Sequence, residues 1–437
     1  MADSSLPGTA SPSTVSATSG QESIEALGAP TQPKSLLFQI LYGLANATIG
    51  LGNLTFYTIL LPARIALVAP ANQTTTFSII AGLGALASLL TNPIVGRLSD
   101  QTTSPLGRRF PWILVGMLLL LLAMLLLAVV STVILLGVGA VLLQIAINVI
   151  LAALSAIIPD QVPLKQRATV SAFGAMAPLV GGVLGQLLVV EVIKDLSTSF
   201  LVLAQVSVCL LMLFLLSLRE MPLPKDVVTP FRLVDLASVF WLNPKTHRDF
   251  ALAWLARCLI FLVSTTLINY LFYLLQDWAH YTQVSGGSIA QGVQMWYTVY
   301  VSCLFVSALA FGVLSDKLQH RKPFVIASSL VMTAGLLLLT LFPMWLMVLL
   351  AAGIIGAGFG TYLAVDLALV SQLLPTAHHR GKDLGLMNAA IFLPMLIGPG
   401  IAGIALGGFH SYALLFIVLA LAAVLAAVLI APITSVP

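Results

Sequence analysis

Charged side chains are scarce in this sequence. Asp, Glu, Lys and Arg make up 8% of its 437 residues and 59% are hydrophobic, whereas about 25% of a typical soluble domain is charged. So little charge cannot cover a globular surface that faces water, and a soluble protein is therefore excluded. The three cysteines (Cys209, Cys258 and Cys303) each lie inside an apolar run. Neither a disulfide framework nor a metal site is therefore predicted.

Signatures of enzymes and of processed proteins are missing as well. No G-x-x-x-x-G-K-[ST] loop is present, which argues against ATP as an energy source. No serine or cysteine nucleophile accompanies a histidine base in the apolar runs, so we predict no catalytic residues, no enzyme activity and no cofactor. No cleavable signal peptide is recognisable, and residues 1–33 have the Ser-, Thr-, Pro- and Gly-rich composition of a disordered tail.

Runs of about 20 apolar residues recur along the chain, which is the length that a helix needs to cross a hydrocarbon core of about 30 Å. We therefore predict an all-α membrane protein with twelve transmembrane helices, surrounded by the lipid bilayer. The predicted spans are 36–61, 76–98, 111–130, 132–158, 169–193, 199–217, 250–276, 289–314, 323–342, 345–373, 384–406 and 410–431.

The basic residues sort by membrane side. If the N-terminus is cytoplasmic, 16 of the 19 lysines and arginines fall in the tail and loops of that side. Arg64 and Lys194 fall on the other side, and Arg257 lies within the seventh span. This bias predicts a multi-pass protein of the cytoplasmic membrane with both termini in the cytoplasm. The net charge of +4 then results from the basic residues that orient the chain in the membrane, and no nucleic-acid partner is predicted.

The two halves of the chain are related. The stretch GRLSDQTTSPLGRRFPW begins at Gly96, and a partial copy, GVLSDKLQHRKPF, begins 216 residues later at Gly312. Pro159 and Pro375 have the same offset. We predict two parallel six-helix repeats, 34–217 and 250–437, joined by a cytoplasmic linker at 218–249 that is either a plain connection or carries a short amphipathic helix. Parallel repeats place a substrate site near mid-membrane, between the halves.

Two six-helix halves with G-x-L-S-D…G-R-R after the second span resemble the major facilitator superfamily of transporters. Three stretches, IPDQVPLKQRATVSAFG (158–174), HRDFALAWLARCLIFL (247–262) and GTYLAVDLALVSQLLPTAHHRGKDLGLMNAAIFLP (360–394), are similar to bacterial members of the sugar/cation symporter group, which includes glycoside-pentoside-hexuronide and sucrose-carrier-like proteins. The resemblance implies the major facilitator fold and a sugar carried with a cation. One position departs from it: Gln144 stands where plant sucrose carriers have a protonatable aspartate.

Two ionisable residues lie deep in the predicted spans, where a charge costs several kcal/mol. Arg257 in the seventh span and Asp366 in the tenth are at matching depths, so we expect them to face each other. In one interpretation they couple transport to protons, because protonation of Asp366 releases Arg257. In the other they form a fixed ion pair that holds the second half together.

The charged loops suggest a gate. Asp100 at the end of the second span can pair with Arg108 or Arg109, and Asp316 with Arg321 would form the partial second copy. The superfamily resemblance implies that such pairs lock the halves together on the cytoplasmic side while the carrier is open outward. The alternative is that these charges only set topology.

Polar residues at helical spacing suggest a binding surface. Amides and phenols around aromatic rings suit a neutral, hydroxyl-rich ligand; the alternative is interhelical hydrogen bonds worth about 0.6 kcal/mol each. The candidate residues are Asn46, Asn53, Tyr57, Gln144, Asn148, Asn269, Tyr273, Gln276, Trp296, Tyr300, Tyr362 and Asn388.

The sequence thus predicts a monomeric secondary active transporter of a neutral sugar or glycoside. We expect symport by alternating access with a proton, or a sodium ion, as the coupling ion. Two alternatives stay open at this point: an exporter of amphipathic or lipophilic small molecules, and a non-transporting membrane assembly factor with the same fold.

Overall fold

The computed structural model describes residues 33–218, 220, 248–318, 320–373 and 380–433, except the side chains of 168, 316, 367–373 and 380–389. The tail predicted for 1–33 and the linker predicted for 218–249 lie almost entirely outside these residues. Every regular element within the described ranges is helical.

Twelve of these helices are long and apolar enough to cross a membrane, and each overlaps one of the predicted spans. The all-α membrane fold with twelve spans is therefore confirmed. The helices are α1 (Leu36–Val68), α2 (Gln73–Asp100), α3 (Phe110–Val129), α4 (Val133–Gln161), α5 (Leu164–Ile193), α6 (Leu196–Ser217), α7 (Arg248–Asn269, continued by Leu271–Tyr273 and Leu274–Trp278), α8 (Ile289–Leu318), α9 (Lys322–Leu341), α10 (Trp345–Leu373), α11 (Arg380–Ala402, continued by Gly403–Gly408) and α12 (Tyr412–Ile430).

Helix α1 runs seven residues beyond its predicted end at position 61. Pro62 signals a break in the sequence, because proline removes a backbone donor. In the structure a wide π turn at Phe56–Leu60 precedes it, and Pro62 occupies the first turn of the renewed α-helix. The missing N–H group is not needed at that position, so the helix continues.

The repeat extends to the geometry of the backbone. Helices α1 and α7 contain π turns at Phe56–Leu60 and Leu274–Trp278, and α5 and α11 end in π turns at Leu188–Ile193 and Gly403–Gly408. These pairs are separated by 218 and 215 positions, close to the sequence offset of 216. The two halves therefore share local helix distortions as well as helix order.

Each half packs around its own helices, and the described parts of the halves meet mainly along four helix pairs. Helices α2 and α3 pack on α4, as α8 and α9 pack on α10. Between the halves, α2 contacts α11, α5 contacts α8, and α1 contacts both α7 and α8.

Small residues let α1 and α5 approach closely. A Cβ atom built on Gly181 of α5 would lie 2.0 Å from the carbonyl oxygen of Ala47, and one built on Gly50 of α1 would lie 1.7 Å from the carbonyl oxygen of Pro178. Both contacts involve backbone atoms, which cannot rotate away. The two helices must separate if either glycine gains a side chain.

We expect Gly181→Ala to lower the unfolding temperature of the purified protein in detergent, since overpacking of this kind costs about 1–3 kcal/mol. Gly82→Ala on α2 is the matched control, because a Cβ atom there meets no atom within 4 Å and alanine favours a helix by about 1 kcal/mol. Equal unfolding temperatures for the two variants would contradict the close approach of α1 and α5.

Candidate functional site

A cavity of about 410 Å³ lies between the two halves. Helices α1, α2 and α4 of the first half and α7 and α11 of the second half line it. We call the end of the bundle that carries Arg97, Arg108 and Arg109 the basic face, and the other end the opposite face. The cavity reaches towards the basic face along Asn92 and Ser155. Its polar lining consists of Asn53, Tyr57, Ser88, Asn92, Gln144, Asn148, Ser155, Thr265 and Asn269.

A hydrogen-bonded network fixes the amides of α4. The Nδ2 group of Asn148 donates to Ser88 Oγ and to the carbonyl oxygen of Gln144, both at 2.9 Å, and Ser88 Oγ donates to the carbonyl oxygen of Gly84 at 3.0 Å. The Oδ1 atoms of Asn148 and Asn53 are buried and accept no hydrogen bond from the protein. A buried acceptor without a partner is costly, so these two oxygens are suited to accept from hydroxyl groups of a ligand.

The described lining carries no charged side chain at neutral pH, since its polar groups are amides, hydroxyls and one phenol. Among the remaining lining residues, Ile391, Phe392 and Met395 of α11 form an apolar surface on the second half. A ligand there would meet amides on one side and apolar groups on the other. This chemistry suits a neutral molecule with a polar and an apolar face.

Aromatic side chains from both halves seal the cavity towards the opposite face. The ring of Phe77 on α2 packs edge-on against Tyr270 and Tyr273 of α7, with centroids 5.0 and 5.5 Å apart. The Tyr57 ring packs against Phe77 at 6.2 Å, and the hydroxyl groups of Ser78 and Tyr270 are 2.5 Å apart. All three rings in contact with Phe77 are buried. The described residues therefore close the cavity towards the opposite face.

Five of the predicted binding residues line the cavity: Asn53, Tyr57, Gln144, Asn148 and Asn269.

Three others lie elsewhere. The Asn46 amide donates to the carbonyl oxygen of Tyr42 in its own helix at 2.8 Å, Tyr273 belongs to the aromatic seal, and Gln276 lies in the π turn of α7. The side chain of Asn388 lies outside the described part of the chain.

Trp296, Tyr300 and Tyr362 belong to an aromatic cluster inside the second half. Trp296 and Tyr300 on α8 stack with their centroids 5.2 Å apart. The Tyr300 hydroxyl is 2.7 Å from Ser264 Oγ on α7, and its ring stacks on Phe359 of α10. The structure thus places these rings between α7, α8 and α10, where they pack one another.

Arg257 and Asp366 are in direct contact within the second half. The Arg257 guanidinium of α7 donates to Asp366 Oδ2 of α10, and Oδ1 of the same carboxylate accepts from the Tyr362 hydroxyl at 2.7 Å. Arg257 also lies over the ring of Phe261, 5.5 Å from its centroid. Both charged residues are buried, with exposures of 6% and 3%. A buried carboxylate held by an arginine and a phenol is well placed either to respond to a proton or to tie the helices together.

Removing one member of this pair should be worse than removing both. We expect Asp366→Leu to lower the free energy of unfolding by about 3–5 kcal/mol, because it leaves the Arg257 charge buried and unpaired. The double variant Arg257→Leu/Asp366→Leu should recover most of that loss. Unfolding of the double variant and of both single variants, Arg257→Leu and Asp366→Leu, in detergent, followed by circular dichroism, checks this. Additive losses would show that the two charges do not stabilise each other.

At the basic face a cluster of charges joins helices of the first half. Arg109, just before α3, donates to Asp100 Oδ1 of α2 at 2.5 Å and to Asp160 Oδ2 of α4 at 2.8 Å. Arg108 pairs with Asp160 Oδ1 at 2.5 Å. The carboxylate of Glu220 accepts from the backbone N–H of Arg109 at 2.8 Å. Of the predicted gating residues of the first half, Asp100 and Arg109 thus bind each other, whereas Arg108 binds Asp160.

The sequence analysis missed several of these residues. Asp160 could have been found from the sequence, because it lies at the end of a span on the same side as the predicted gate. Ser88 and Asn92 share one helical face of α2 with Ala81 and Ala85, a pattern too sparse in polar groups to stand out. Of the second predicted gate, Arg321 is half-buried at the start of α9, and the side chain of Asp316 lies outside the described residues.

Two repeated bundles of membrane-spanning helices, with a polar cavity at their seam that is sealed at one end, define a membrane transport protein. The sequence model of the Major Facilitator Superfamily matches residues 44–293 and 253–437. The chain belongs to this family, which confirms the superfamily resemblance seen in the sequence.

Among solved structures, the fold is similar to that of the nucleoside transporter NupG, in a crystal structure of a mutant with one aspartate replaced by alanine. The match has a TM-score of 0.69 and 13% sequence identity, and it covers 91% of this chain and 99% of that chain. At 13% identity, this similarity shows a shared fold alone. No curated protein matches the sequence.

Proposed function

We propose that this transporter carries a neutral, hydroxyl-rich small molecule, a sugar or a glycoside, together with a proton. The observation that supports the substrate class most directly is the pair of buried amide oxygens, Asn53 Oδ1 and Asn148 Oδ1, in a described lining without charged side chains. Hydroxyl groups supply the donors that these oxygens need.

The contrast between the two walls of the cavity adds to the proposal. A sugar ring presents hydroxyl groups at its edge and C–H groups on its faces. The amides of α1 and α4 would bind the hydroxyl edge, and Ile268, Phe392 and Met395 would pack against an apolar face. Nucleosides are neutral glycosides, so the substrate named for NupG falls within the proposed class.

We further propose that transport follows alternating access in the cytoplasmic membrane, with the basic face and both termini in the cytoplasm. Opening of the opposite face would separate Phe77 from Tyr270 and Tyr273. The cluster around Asp100 and Arg109 would then be available to hold the halves together at the basic face. Contacts made in one state and lost in the other set the population of each state.

Asp366 is the proposed coupling residue. Its protonation would remove the charge that binds Arg257, and the contact between α7 and α10 would weaken. Because α7 also carries the cavity residues Thr265 and Asn269, a shift of this helix would change the cavity. Sodium coupling is the second candidate, and pH and sodium gradients applied separately distinguish the two.

The substrate class is tested by thermal stabilisation and by counterflow in liposomes, each with a panel of sugars, aryl glycosides and nucleosides. We expect stabilisation by at least one of these classes, and binding about tenfold or more weaker for Asn148→Leu, because the substitution removes a hydrogen bond and leaves its partner unpaired. Gln205→Leu is the matched control, an amide exposed on α6 and outside the cavity lining.

Stabilisation by hydrophobic amphiphiles alone would instead favour the exporter. A lack of stabilisation by any small molecule would favour the assembly factor.

The coupling role is tested with Asp366→Asn, which keeps the size of the side chain but cannot exchange a proton. We expect uphill accumulation driven by a pH gradient to be lost while counterflow persists. Asp277→Asn is the control, because this aspartate bonds the Tyr412 hydroxyl near the opposite face, at 2.8 Å. If Asp366→Asn accumulates substrate with an unchanged pH dependence, the ion pair is structural only.

A further inference from the structure

A second cavity, of about 420 Å³, is a groove between α8 and α9 on the surface of the second half. Phe311 of α8 and Phe324 of α9 pack against each other in its wall, with ring centroids 6.3 Å apart. Ala357 and Gly358 of α10 form its floor. The neighbouring Leu330 and Val331 are exposed within the membrane-spanning part of α9, so the groove lies where lipid surrounds the protein.

The corresponding place in the first half is filled. Helices α3 and α9 begin after Arg109 and Arg321, so Trp112 of α3 corresponds to Phe324 of α9. Ile145 and Ala357 are each twelve positions beyond the first residue of their helices, α4 and α10.

In the first half Trp112 and Ile145 pack against Val95, Val149 and Ala152. In the second half alanine takes the place of Ile145, and the space that the isoleucine occupies becomes the groove.

The wall of the groove presents mainly apolar side chains to an occupant. Its hydroxyl groups are already used, since Ser328 Oγ donates to the carbonyl oxygen of Val325 at 2.8 Å and Thr361 Oγ1 to that of Ala357 at 2.9 Å. The other wall residues are apolar. An occupant of this groove must therefore itself be apolar over the length it buries.

The mouth of the groove at the basic face is positively charged. Lys317 lies in the last turn of α8, and Arg321 and Lys322 lie at the start of α9, directly before Pro323 of the groove wall. The Nζ group of Lys322 also donates to the carbonyl oxygen of Ile433 at 3.0 Å. The positive end of the α9 dipole lies at the same point.

The equivalent arginines of the first half are neutralised by Asp100 and Asp160. The sequence has no carboxylate between Asp366 and Asp383, the region that corresponds to Asp160. The turn from the end of α8 to the start of α9 itself also carries Asp316, so its formal charge is +2, from Lys317, Arg321 and Lys322 against one carboxylate.

We propose that the groove between α8 and α9 binds an anionic phospholipid of the leaflet at the basic face. One acyl chain lies along Phe311, Phe324 and Ala357, and the phosphate lies at the turn of Lys317 and Lys322. Hydrophobic burial holds the chain, and each lysine near the membrane surface adds attraction for the anionic headgroup. The site belongs to the second half alone, because the first half fills the corresponding space with Trp112 and Ile145.

Native mass spectrometry of the full chain in detergent, with phosphatidylglycerol and phosphatidylcholine added in competition, tests this site. We expect the wild type to retain phosphatidylglycerol in preference. Ala357→Ile, which introduces the residue of the first half, should abolish that retention. Ala334→Ile, at an exposed position of α9 outside the groove, should retain the lipid. Lys317→Gln and Lys322→Gln should each reduce the preference for phosphatidylglycerol about fivefold.

Ala327→Val is a second filling variant, at an exposed groove position where the first half has Val115, and it serves if Ala357→Ile does not fold. Undiminished binding of phosphatidylglycerol by a folded filling variant would overturn the site. Equal retention of phosphatidylcholine and phosphatidylglycerol by the wild type would overturn the role of the basic turn.

Discussion

A polar group in hydrocarbon has no water to bond, and this constraint decides where the polar side chains of this protein lie. Many of the described serines and threonines of the spans donate to a carbonyl oxygen of their own helix, as Thr48 does to Ala45 and Ser88 to Gly84. Asn46 is satisfied in the same way. The amide oxygens of Asn53 and Asn148 are not, and both lie at the cavity. Groups that their own helix satisfies thus belong to the scaffold, and in the proposed function the oxygens of Asn53 and Asn148 accept hydrogen bonds from the substrate.

The described ion pairs of the two halves lie at different depths in the bundle. In the first half the charges gather at the basic face, where Arg109 joins Asp100 of α2 to Asp160 of α4 and so ties three helices together. In the second half a full ion pair lies within the spans and joins α7 to α10. The repeat therefore preserves helix order and distortions, whereas the buried ion pair of Arg257 and Asp366 belongs to the second half. In the proposed function, a proton that reaches Asp366 acts on the contact between α7 and α10 of that half.

The spans, their number and the repeat could be predicted because they depend on length, hydropathy and one recurring offset. The binding face could be predicted only in part, and α1 shows why. Asn46, Asn53 and Tyr57 fit one stripe of a regular helix, but π turns begin at Gly50, and a π turn holds more residues than an α turn. The stripe therefore breaks, with Asn46 on one side of the distortion and the cavity residues on the other. Helix α7 repeats this: Asn269 lines the cavity, whereas Tyr273 and Gln276 follow the interruption at Tyr270. No feature of the sequence points to Glu220, because only the folded chain brings it to Arg109, 111 positions away.

The interaction energy across the aromatic seal is small enough for the binding of a small ligand to offset it. Across the seam Phe77 forms two edge-on contacts with tyrosines of α7, and aromatic pairs contribute about 0.5–1.5 kcal/mol each beyond burial. With the Ser78–Tyr270 hydrogen bond, worth about 1 kcal/mol, the specific part of the seal amounts to about 2–4 kcal/mol. Reversing a two-state population from 1:99 to 99:1 takes about 5.5 kcal/mol of differential binding. A ligand that bridges Asn148 on α4 and Asn269 on α7 contacts both halves, so a few hydrogen bonds that differ between the states are enough to offset the seal. Because the described part of the seal contains no ion pair, opening it exposes no unpaired charge, and Asp366, the proposed coupling residue, can stay within the second half throughout.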